Sequence, residues 1–418
     1  MHSSAADTLL KTDDVLVRRV GAADAARQVV TFDSYSDHRT LDRKGFGEDF
    51  FAGHGVTAIH VLSRDNDWYQ HPELIEGFAR IREAVQPAER VMTYGVSMGG
   101  YAALRFSQRV GAHVALALSP QYSIDPAKAP FERRWIDDAA RIRFLDDLDG
   151  PITTDAECIV VYDPTSTDRQ HVERIEQDTP VVQLRAPHAG HSVAALLAEA
   201  GVLGDLALDV LKGQFDAAQF EQHLRQQRKR LGVYLSELAS RQPPHRRRTA
   251  VALARRAVAL KPDNDITQRM LADGLAAAGE HAEAIAIYES LLAGSGRQIQ
   301  HLLPFSRLLL AAGQAGRAEE VAKESVQRMP ELAAAHHWLA QLQAMRGDFA
   351  MALASILRAQ ALAPANPVYR RLALDLRARR LLQPVERLLS SLGVRGARKV
   401  SDAGSWLLRQ LDAHRAHP

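Results

Sequence analysis

A 34-residue period in the C-terminal half limits what this chain can fold into. Three similar hexapeptides, GEHAEA, GQAGRA and GDFAMA, each begin 34 residues after the previous one. The marker residues of the period are Gly279, Gly313 and Gly347, alanines at Ala284, Ala318 and Ala352, prolines at Pro262, Pro330 and Pro364, and Gly296 in the intermediate slot. Glycine permits a tight turn, alanine lets two helices approach closely, and proline ends a helix. The period therefore predicts stacked helix–turn–helix units.

This 34-residue unit resembles the tetratricopeptide repeat. The resemblance covers residues 243–380, where the large aromatic positions of that family are mostly missing although Tyr288 and Trp338 remain. Residues 206–242 are expected to form connecting helices, and residues 381–418, where the period is lost, a helical cap. A plain helical bundle is the alternative. Because such arrays form a concave binding groove and not a catalytic site, the resemblance implies that this region binds a protein partner.

Residues 1–205 follow another pattern, in which short β-branched runs alternate with helical stretches. The runs lie at residues 15–20, 28–32, 56–62, 91–96, 114–118, 158–162 and 181–184. The helical stretches include residues 73–85, 99–110, 169–177 and 192–200. This alternation is typical of a parallel sheet covered by helices. The chain is thus predicted to be a doubly wound, mostly parallel α/β domain followed by an all-α repeat region.

A G-x-S-x-G motif joins one of the predicted strands to the next predicted helix. It runs from Gly95 to Gly99, with Ser97 at its centre and Gly100 directly after it. A serine at such a sharp turn has a strained backbone, and the flanking glycines leave room for the neighbouring strand and helix. The strand–turn–helix context predicts that Ser97 is a nucleophile. Over residues 15–205 the chain resembles the α/β-hydrolase family.

The resemblance implies that an acid and a histidine follow Ser97 in chain order, because a serine hydroxyl needs a base and the base needs an orienting group. His191 stands just before the last helical stretch, as the family histidine usually does, and His188 in the same loop is the alternative. Two acids follow the preceding strand. Asp168 is favoured, because the family usually carries its acid there, and Asp163 stays open as the alternative.

Two further groups are expected close to Ser97. The resemblance implies an oxyanion hole made by the backbone N–H of Met98 and that of Asp33 or Ser34. Ligands bind beyond the carboxyl ends of parallel strands, so aromatic side chains in the loops there are candidates for a substrate pocket. Those candidates are Trp68, Tyr69, Tyr122, Phe131 and Trp135, with ordinary core packing as the alternative for each.

The composition argues against several other classes of protein. A net charge of +2 over 418 residues gives no reason to expect nucleic-acid binding. A single cysteine, Cys158, excludes an internal disulfide, and the histidines are scattered without metal-ligand spacing, so no metal or cofactor is expected. No stretch is apolar and long enough to suggest a membrane span, and the first residues lack a signal-peptide pattern. A cytoplasmic protein is therefore expected.

The expected function is that of a bacterial-type serine hydrolase, which opens an ester, thioester or amide through an acyl-enzyme. Its substrate would be a small molecule or an acylated one, and the repeats would recruit a protein partner. Two alternatives stay open. One is an interaction scaffold with a degenerate hydrolase domain, and the other is an accessory enzyme in the assembly of a surface polysaccharide or glycoconjugate.

Overall fold

The computed structural model describes residues 6–36, 39–294 and 299–391. The chain forms two compact units that divide between Glu280 and His281. The first unit contains a sheet with its helices, and the described part of the second unit is helical. The Gly296 slot of the predicted period and the predicted cap beyond residue 391 lie outside the described residues.

An eight-stranded sheet forms the centre of the first unit. Its strands are β1 Ala6–Lys11, β2 Val15–Val20, β3 Arg27–Phe32, β4 Thr57–Ser63, β5 Arg90–Val96, β6 Val114–Leu118, β7 Glu157–Tyr162 and β8 Val181–Arg185. Their order is β1-β2-β4-β3-β5-β6-β7-β8. The pairs β1/β2 and β2/β4 are antiparallel and the others are parallel. The predicted mostly parallel sheet is confirmed, and each β-branched run is a strand.

The strand β1 was not predicted from the sequence. Its sequence, ADTLLK, lacks a β-branched run, and the strand pairs with β2 alone at one edge of the sheet. An antiparallel edge strand can have one solvated face, so it does not need a continuous apolar sequence. Leu10 provides its buried side chain.

Helices cover both faces of the sheet. They are α1 Glu48–Gly53, α2 Leu74–Val85, α3 Met98–Arg105, α4 Ile136–Ala139, α5 Asp146–Asp149, α6 Asp168–Asp178, α7 Val193–Glu199 and α8 Leu203–Lys212. Met92 and Leu116 of the sheet share an apolar cluster with residues of α1, α7 and α8. Val30 and Val91 share another with residues of α2 and α3, and a third includes residues of α6. Because both faces of the sheet are buried, the sequences of these strands are continuous apolar runs.

The carboxyl ends of the central strands meet at one edge of the sheet. The parallel registers place Phe32 of β3 beside Gly95 of β5, and Val96 of β5 beside Leu118 of β6. The segments that leave β3, β5, β6 and β7 at this edge carry all the residues predicted for the nucleophile, the acid and the oxyanion hole. The topology therefore brings together side chains that are far apart in the sequence.

Four more helices complete the first unit. They are α9 Ala217–Gln227, α10 Gly232–Ser240, α11 Arg247–Leu260 and α12 Asp265–Ala278, with 3₁₀ turns at Arg228–Arg230 and Pro244–Arg246. Leu206 of α8, Leu224 of α9 and Tyr234 of α10 belong to the apolar cluster that also contains Met92 of the sheet. Helix α8 crosses the boundary predicted at residues 205/206. The segment boundaries at 205, 242 and 380 remain predictions.

The second unit has the helices α13 His281–Gly294, α14 Ile299–Ala311, α15 Ala315–Arg328, α16 Ala333–Met345, α17 Phe349–Leu362 and α18 Pro367–Ser391. Helix α14 packs along α15, and α16 packs along α17. The marker alanines Ala284, Ala318 and Ala352 are fully buried, and Gly279, Gly313 and Gly347 all have left-handed backbones. Each marker proline stands two residues after a helix end. The predicted all-α repeat region is confirmed, and α18 continues into the predicted cap.

The repeat turns make a paired substitution informative. Gly313 has φ +80°, and a Cβ there would meet no atom within 4 Å, so Gly313→Ala should lower the free energy of unfolding through backbone strain alone, by about 1–2 kcal/mol. Gly316 lies within α15 in equally open space and has no positive φ. Gly316→Ala should therefore raise the free energy of unfolding by about 0.5–1 kcal/mol. Urea unfolding followed by circular dichroism measures both. Changes of the same sign would contradict this account of the turn.

Candidate active site

Ser97 occupies a strained turn between β5 and α3. Its backbone has φ 55° and ψ −116°, and its N–H donates to the carbonyl of Leu118 at 2.9 Å. A Cβ on Gly95 would stand 2.2 Å from the Gly99 oxygen, and a Cβ on Gly99 would stand 2.3 Å from the Phe32 oxygen. No side chain fits at either glycine unless the backbone moves. The motif glycines are thus required by close backbone approach.

Ser97, His191 and Asp168 form a continuous hydrogen-bonded chain. Ser97 Oγ lies 2.8 Å from His191 Nε2, and His191 Nδ1 lies 2.9 Å from Asp168 Oδ2. Ser97 is 6% exposed and Asp168 is fully buried, whereas the His191 side chain keeps 26% exposure. When Nδ1 carries the imidazole proton toward the carboxylate, Nε2 is the acceptor for the serine hydroxyl. This geometry suits proton transfer from serine to histidine.

The Asp168 carboxylate has a second cationic partner. Arg134 Nη1 donates to Asp168 Oδ1 at 2.7 Å, and the Arg134 side chain is 31% exposed. Burial alone would raise the pKa of Asp168, but the hydrogen bond and charge of His191, together with Arg134, hold this pKa below its ordinary value of 3.8. The acid is therefore held as an anion next to the imidazole.

Asp163 supports the histidine loop and does not contact the His191 ring. Its Oδ1 accepts from the Thr165 backbone at 2.8 Å, and its Oδ2 accepts from the Gly190 N–H and from Arg241, both at 2.9 Å. Gly190 directly precedes His191, so Asp163 fixes the backbone that carries the histidine. Of the two predicted acids, only Asp168 is brought to the imidazole.

His188 turns away from the serine. Its backbone has φ 61°, and its ring packs against Tyr234 with centroids 5.6 Å apart. Burial lowers the pKa of His188. The structure thus places His191, and not this alternative, against Ser97.

The predicted oxyanion donors lie along the loop after β3 and at the start of α3. Met98 is the first residue of α3, a position whose N–H has no acceptor within the helix. The Asp33 carboxylate accepts from Arg43 at 2.7 Å and from the Phe46 N–H at 2.9 Å, and burial raises the pKa of Asp33 to about 6. Ser34 is the next residue and is half-buried. The oxyanion role of Met98, Asp33 and Ser34 remains a prediction.

The aromatic candidates divide between the site and the core. Trp135 lies against His191, with ring centroids 6.1 Å apart, and Trp68 packs behind Trp135 at 5.5 Å. Tyr69 is fully buried, and its hydroxyl donates to the Asp33 carbonyl at 2.8 Å, so it supports the loop after β3. The Tyr122 ring belongs to the apolar cluster around α6. Phe131 packs on the buried His171, with ring centroids 4.8 Å apart.

Two polar residues of the site were not singled out from the sequence. Gln121 Nε2 donates to Ser97 Oγ at 2.9 Å, and Arg134 holds Asp168 as described. Both lie in residues 119–142, the segment after β6 that the sequence predicts to border the mouth of the site. The available signal was their position just beyond the carboxyl end of a parallel strand, but nothing in the local sequence indicates which polar side chain turns inward.

Among the described residues there is no group of three histidine, cysteine, aspartate or glutamate side chains that could hold a metal ion. No helix in the described part of the chain combines the length and the apolar character that a membrane crossing requires.

Comparison with known proteins gives structural likenesses only. No family model and no curated protein matches the chain. A tetratricopeptide-repeat protein of Thermus thermophilus, TTC0263, is 20% identical, with a TM-score of 0.33 over 41% of this chain and 96% of that one. PcrH from Pseudomonas aeruginosa is also 20% identical, with a TM-score of 0.25 over 28% and 89%. The Yersinia enterocolitica type III secretion chaperone SycD, in complex with a peptide of the translocator YopD, is 16% identical, with a TM-score of 0.26 over 30% and 98%. Likenesses this low carry no argument about what this chain binds.

The contacts of Asp168 predict a pH-dependent stability. Because the pKa of Asp168 in the folded chain lies below 3.8, its contacts stabilise the fold above that pH, and this contribution is lost as the pH falls through the folded-state value. Asparagine does not titrate. The difference in free energy of unfolding between the wild type and Asp168→Asn should therefore be largest near neutral pH and should shrink in acid. Urea titrations at several pH values measure this difference, and a constant difference would contradict the assignment.

Proposed function

We propose that the chain is a serine hydrolase that opens an ester, thioester or amide of a small-molecule or acylated substrate through an acyl-enzyme. One observation carries the proposal: Ser97 Oγ, on a strained turn between β5 and α3, the His191 imidazole and the Asp168 carboxylate form a hydrogen-bonded chain with distances of 2.8 and 2.9 Å. Such an arrangement turns a weakly nucleophilic hydroxyl into a reactive one.

In the first half of the reaction, Ser97 Oγ attacks the carbonyl carbon while His191 Nε2 takes the hydroxyl proton. The carbonyl π electrons move to oxygen, where the N–H of Met98 and an N–H from Asp33 or Ser34 would stabilise the negative charge. Collapse of this intermediate breaks the bond to the leaving group, which receives the proton from His191. Asp168 remains an anion throughout and stabilises the imidazolium.

The second unit is proposed to bind a protein partner. A cleft of about 660 Å³ lies between α13, α14 and α15, with Leu292, Phe305 and Val321 as its apolar lining. Charged side chains border the same cleft: Glu289, Arg317, Glu320, Glu324 and Arg328. An apolar centre with a charged rim is the composition of a protein-binding patch. Recruitment of a partner by this cleft would bring its acylated group to the hydrolase.

Labelling with a fluorophosphonate tests the nucleophile. The probe should modify the wild type at one site, because an activated serine oxygen displaces fluoride from phosphorus, and Ser97→Ala should not react. Intact-protein mass spectrometry and circular dichroism give the labelling and the fold of each protein. Ser107→Ala is a matched control, because Ser107 is also a buried serine but donates to the Leu104 carbonyl. A folded wild type that remains unlabelled would favour the scaffold alternative.

A second experiment separates the two acids. Asp168→Asn should lower the turnover of a p-nitrophenyl ester by orders of magnitude, about 10⁴-fold in well-studied triads, because the imidazole is no longer held with its proton on Nδ1. Asp163→Asn should cost far less turnover, because Asp163 bonds the Gly190 backbone and Arg241 rather than the ring. Steady-state rates on folded proteins decide this. A larger loss in Asp163→Asn would transfer the orienting role.

A further inference from the structure

Arg134 bridges two buried carboxylates at the candidate site. Its Nη1 donates to Asp168 Oδ1 at 2.7 Å, and its Nη2 donates to Glu132 Oε2 at 2.6 Å. Its Nε lies 3.1 Å from each Glu132 oxygen, and its backbone N–H donates to Oε1 at 2.7 Å. Both acids are buried, whereas the Arg134 side chain keeps 31% exposure. Glu132 therefore fixes the guanidinium, which presents one nitrogen to Asp168.

Glu132 is held in turn by a second buried side chain. His171 Nε2 lies 2.8 Å from Glu132 Oε2, and His171 Nδ1 accepts from the Tyr122 N–H at 3.1 Å. His171 is fully buried. A continuous chain of polar contacts thus joins the backbone after β6 to the acid beside His191.

The charges of this network nearly cancel. Burial would raise the pKa of both carboxyl groups, but the hydrogen bonds and charges of their histidine and arginine partners lower it, so Glu132 and Asp168 are anions at neutral pH. Burial lowers the pKa of His171, which is therefore neutral. Two anions and the cation Arg134 leave a single negative charge in the network while His191 is neutral. That charge is balanced when His191 holds the serine proton.

Arg134 is close enough to His191 to influence its protonation. Asp168 Oδ1 lies 2.7 Å from Arg134 Nη1 and 3.1 Å from His191 Nδ1, so the two nitrogens are no further apart than these two distances together. A cation at such a distance disfavours a protonated imidazole, and an anion favours it. Without the Arg134 charge, His191 should therefore protonate at higher pH. Without the Glu132 charge, it should protonate at lower pH.

We propose that Arg134 is a positioning residue for Asp168, and that the Arg134–Glu132 pair sets the pH range in which His191 acts as the base. The inference rests on the proposed function, in which His191 takes the proton of Ser97. A protonated imidazole cannot accept that proton, so activity is lost on the acid side where His191 protonates. Arg134 extends the activity to lower pH than the two carboxylates alone would allow.

Other titratable or charged groups border the loop that contains His191. They are Asp163, His188, Glu237 and Arg241. Asp163 and Glu237 lie against Gly190, and Arg241 pairs with both carboxylates. None of these groups is changed in the variants below, so their charges act in every protein that is compared.

The experiment measures kcat/KM for p-nitrophenyl acetate from about pH 5 to about pH 9, where the fall on the acid side reports the ionisation of the base in the free enzyme. The full chain is compared with Arg134→Met, Arg134→Lys and Glu132→Gln. Glu319→Gln is the control, because Glu319 at 6% exposure is about as buried as Glu132 at 5% and pairs with Lys323 at 2.7 Å in the second unit. Circular dichroism checks the fold of each protein.

The two charge-removing variants should move the acid side of the profile in opposite directions. Arg134→Met should move it up by about one pH unit and lower the plateau about tenfold, because a charged hydrogen bond to the acid is lost. Glu132→Gln should move it down by about half a pH unit, since Glu132 reaches His191 only through Arg134 and Asp168. Arg134→Lys keeps the charge, so its acid side should stay near that of the wild type while the plateau falls. Glu319→Gln should match the wild type.

A purely structural role for Arg134 and Glu132 would give a different result. Both variants would then lose activity by the same factor at every pH, and that outcome, or shifts in the same direction, would overturn the inference. If Arg134→Met does not fold, Glu132→Gln and Arg134→Lys decide. A Glu132→Gln profile that is unmoved or displaced to higher pH would overturn it as well.

The proposed function and this inference fail in different ways. If the wild type neither reacts with fluorophosphonate at Ser97 nor hydrolyses the ester, the serine hydrolase proposal fails and the inference goes with it. If the wild type is active and the profiles of all the folded variants coincide with its own, the hydrolase proposal stands and only the role of the Arg134–Glu132 pair is overturned.

Discussion

The close approach of three strand ends around Ser97 is the constraint on which the candidate site depends. The Ser97 backbone at φ 55° lies in a region that costs on the order of 1–3 kcal/mol to occupy, and it persists only where its surroundings fix it. Here the Leu118 carbonyl of β6 accepts its N–H, and the Phe32 carbonyl of β3 leaves no room for a side chain on Gly99. The central sheet thus supplies the rigidity that lets a strained serine face the histidine.

A buried network extends this rigidity to the segment of residues 119–142. His171 Nδ1 accepts from the Tyr122 N–H, so its proton is on Nε2, which lies 2.8 Å from Glu132. Burial would raise the pKa of Glu132, but the hydrogen bonds from His171 and Arg134 lower it to about 2. Burial lowers the pKa of His171 despite Glu132. The neutral His171 and the anionic Glu132 thus fix the segment that contains Arg134, and Arg134 in turn contacts Asp168.

The sequence predicts those features that are local in the chain. β-branched runs indicated seven strands, the 34-residue period indicated the repeats, and the glycines around Ser97 indicated the turn, because each pattern follows from backbone geometry within a few residues. Gln121 and Arg134 could not be found in this way. Their contacts join residues 24 and 34 positions apart, and they depend on which way a side chain points after the strand ends.

The choice between Asp163 and Asp168 is a second case in which the local sequence does not determine where a side chain points. Asp163 directly follows β7, and its carboxylate accepts hydrogen bonds from the N–H groups of Thr165 and Gly190. Asp168 begins α6 and lies beside His191. Both are buried carboxyl groups between the end of β7 and the first turn of α6, so residue type and spacing could not separate them; only the direction of each side chain does.

The partner of Asp163 also bears on where the part of the chain that maintains the candidate site ends. Arg241, one residue after α10, donates to the fully buried Asp163 carboxyl group at 2.9 Å, and Glu237 of α10 lies against Gly190 beside the histidine. Removing one partner of such a pair leaves a buried polar group uncompensated and is strongly destabilising. A boundary at residue 205 would separate Asp163 from Arg241. The unit that maintains the geometry of His191 therefore extends at least to Arg241 and includes α9 and α10, two helices within the segment of residues 206–242 that the sequence predicts as connecting helices.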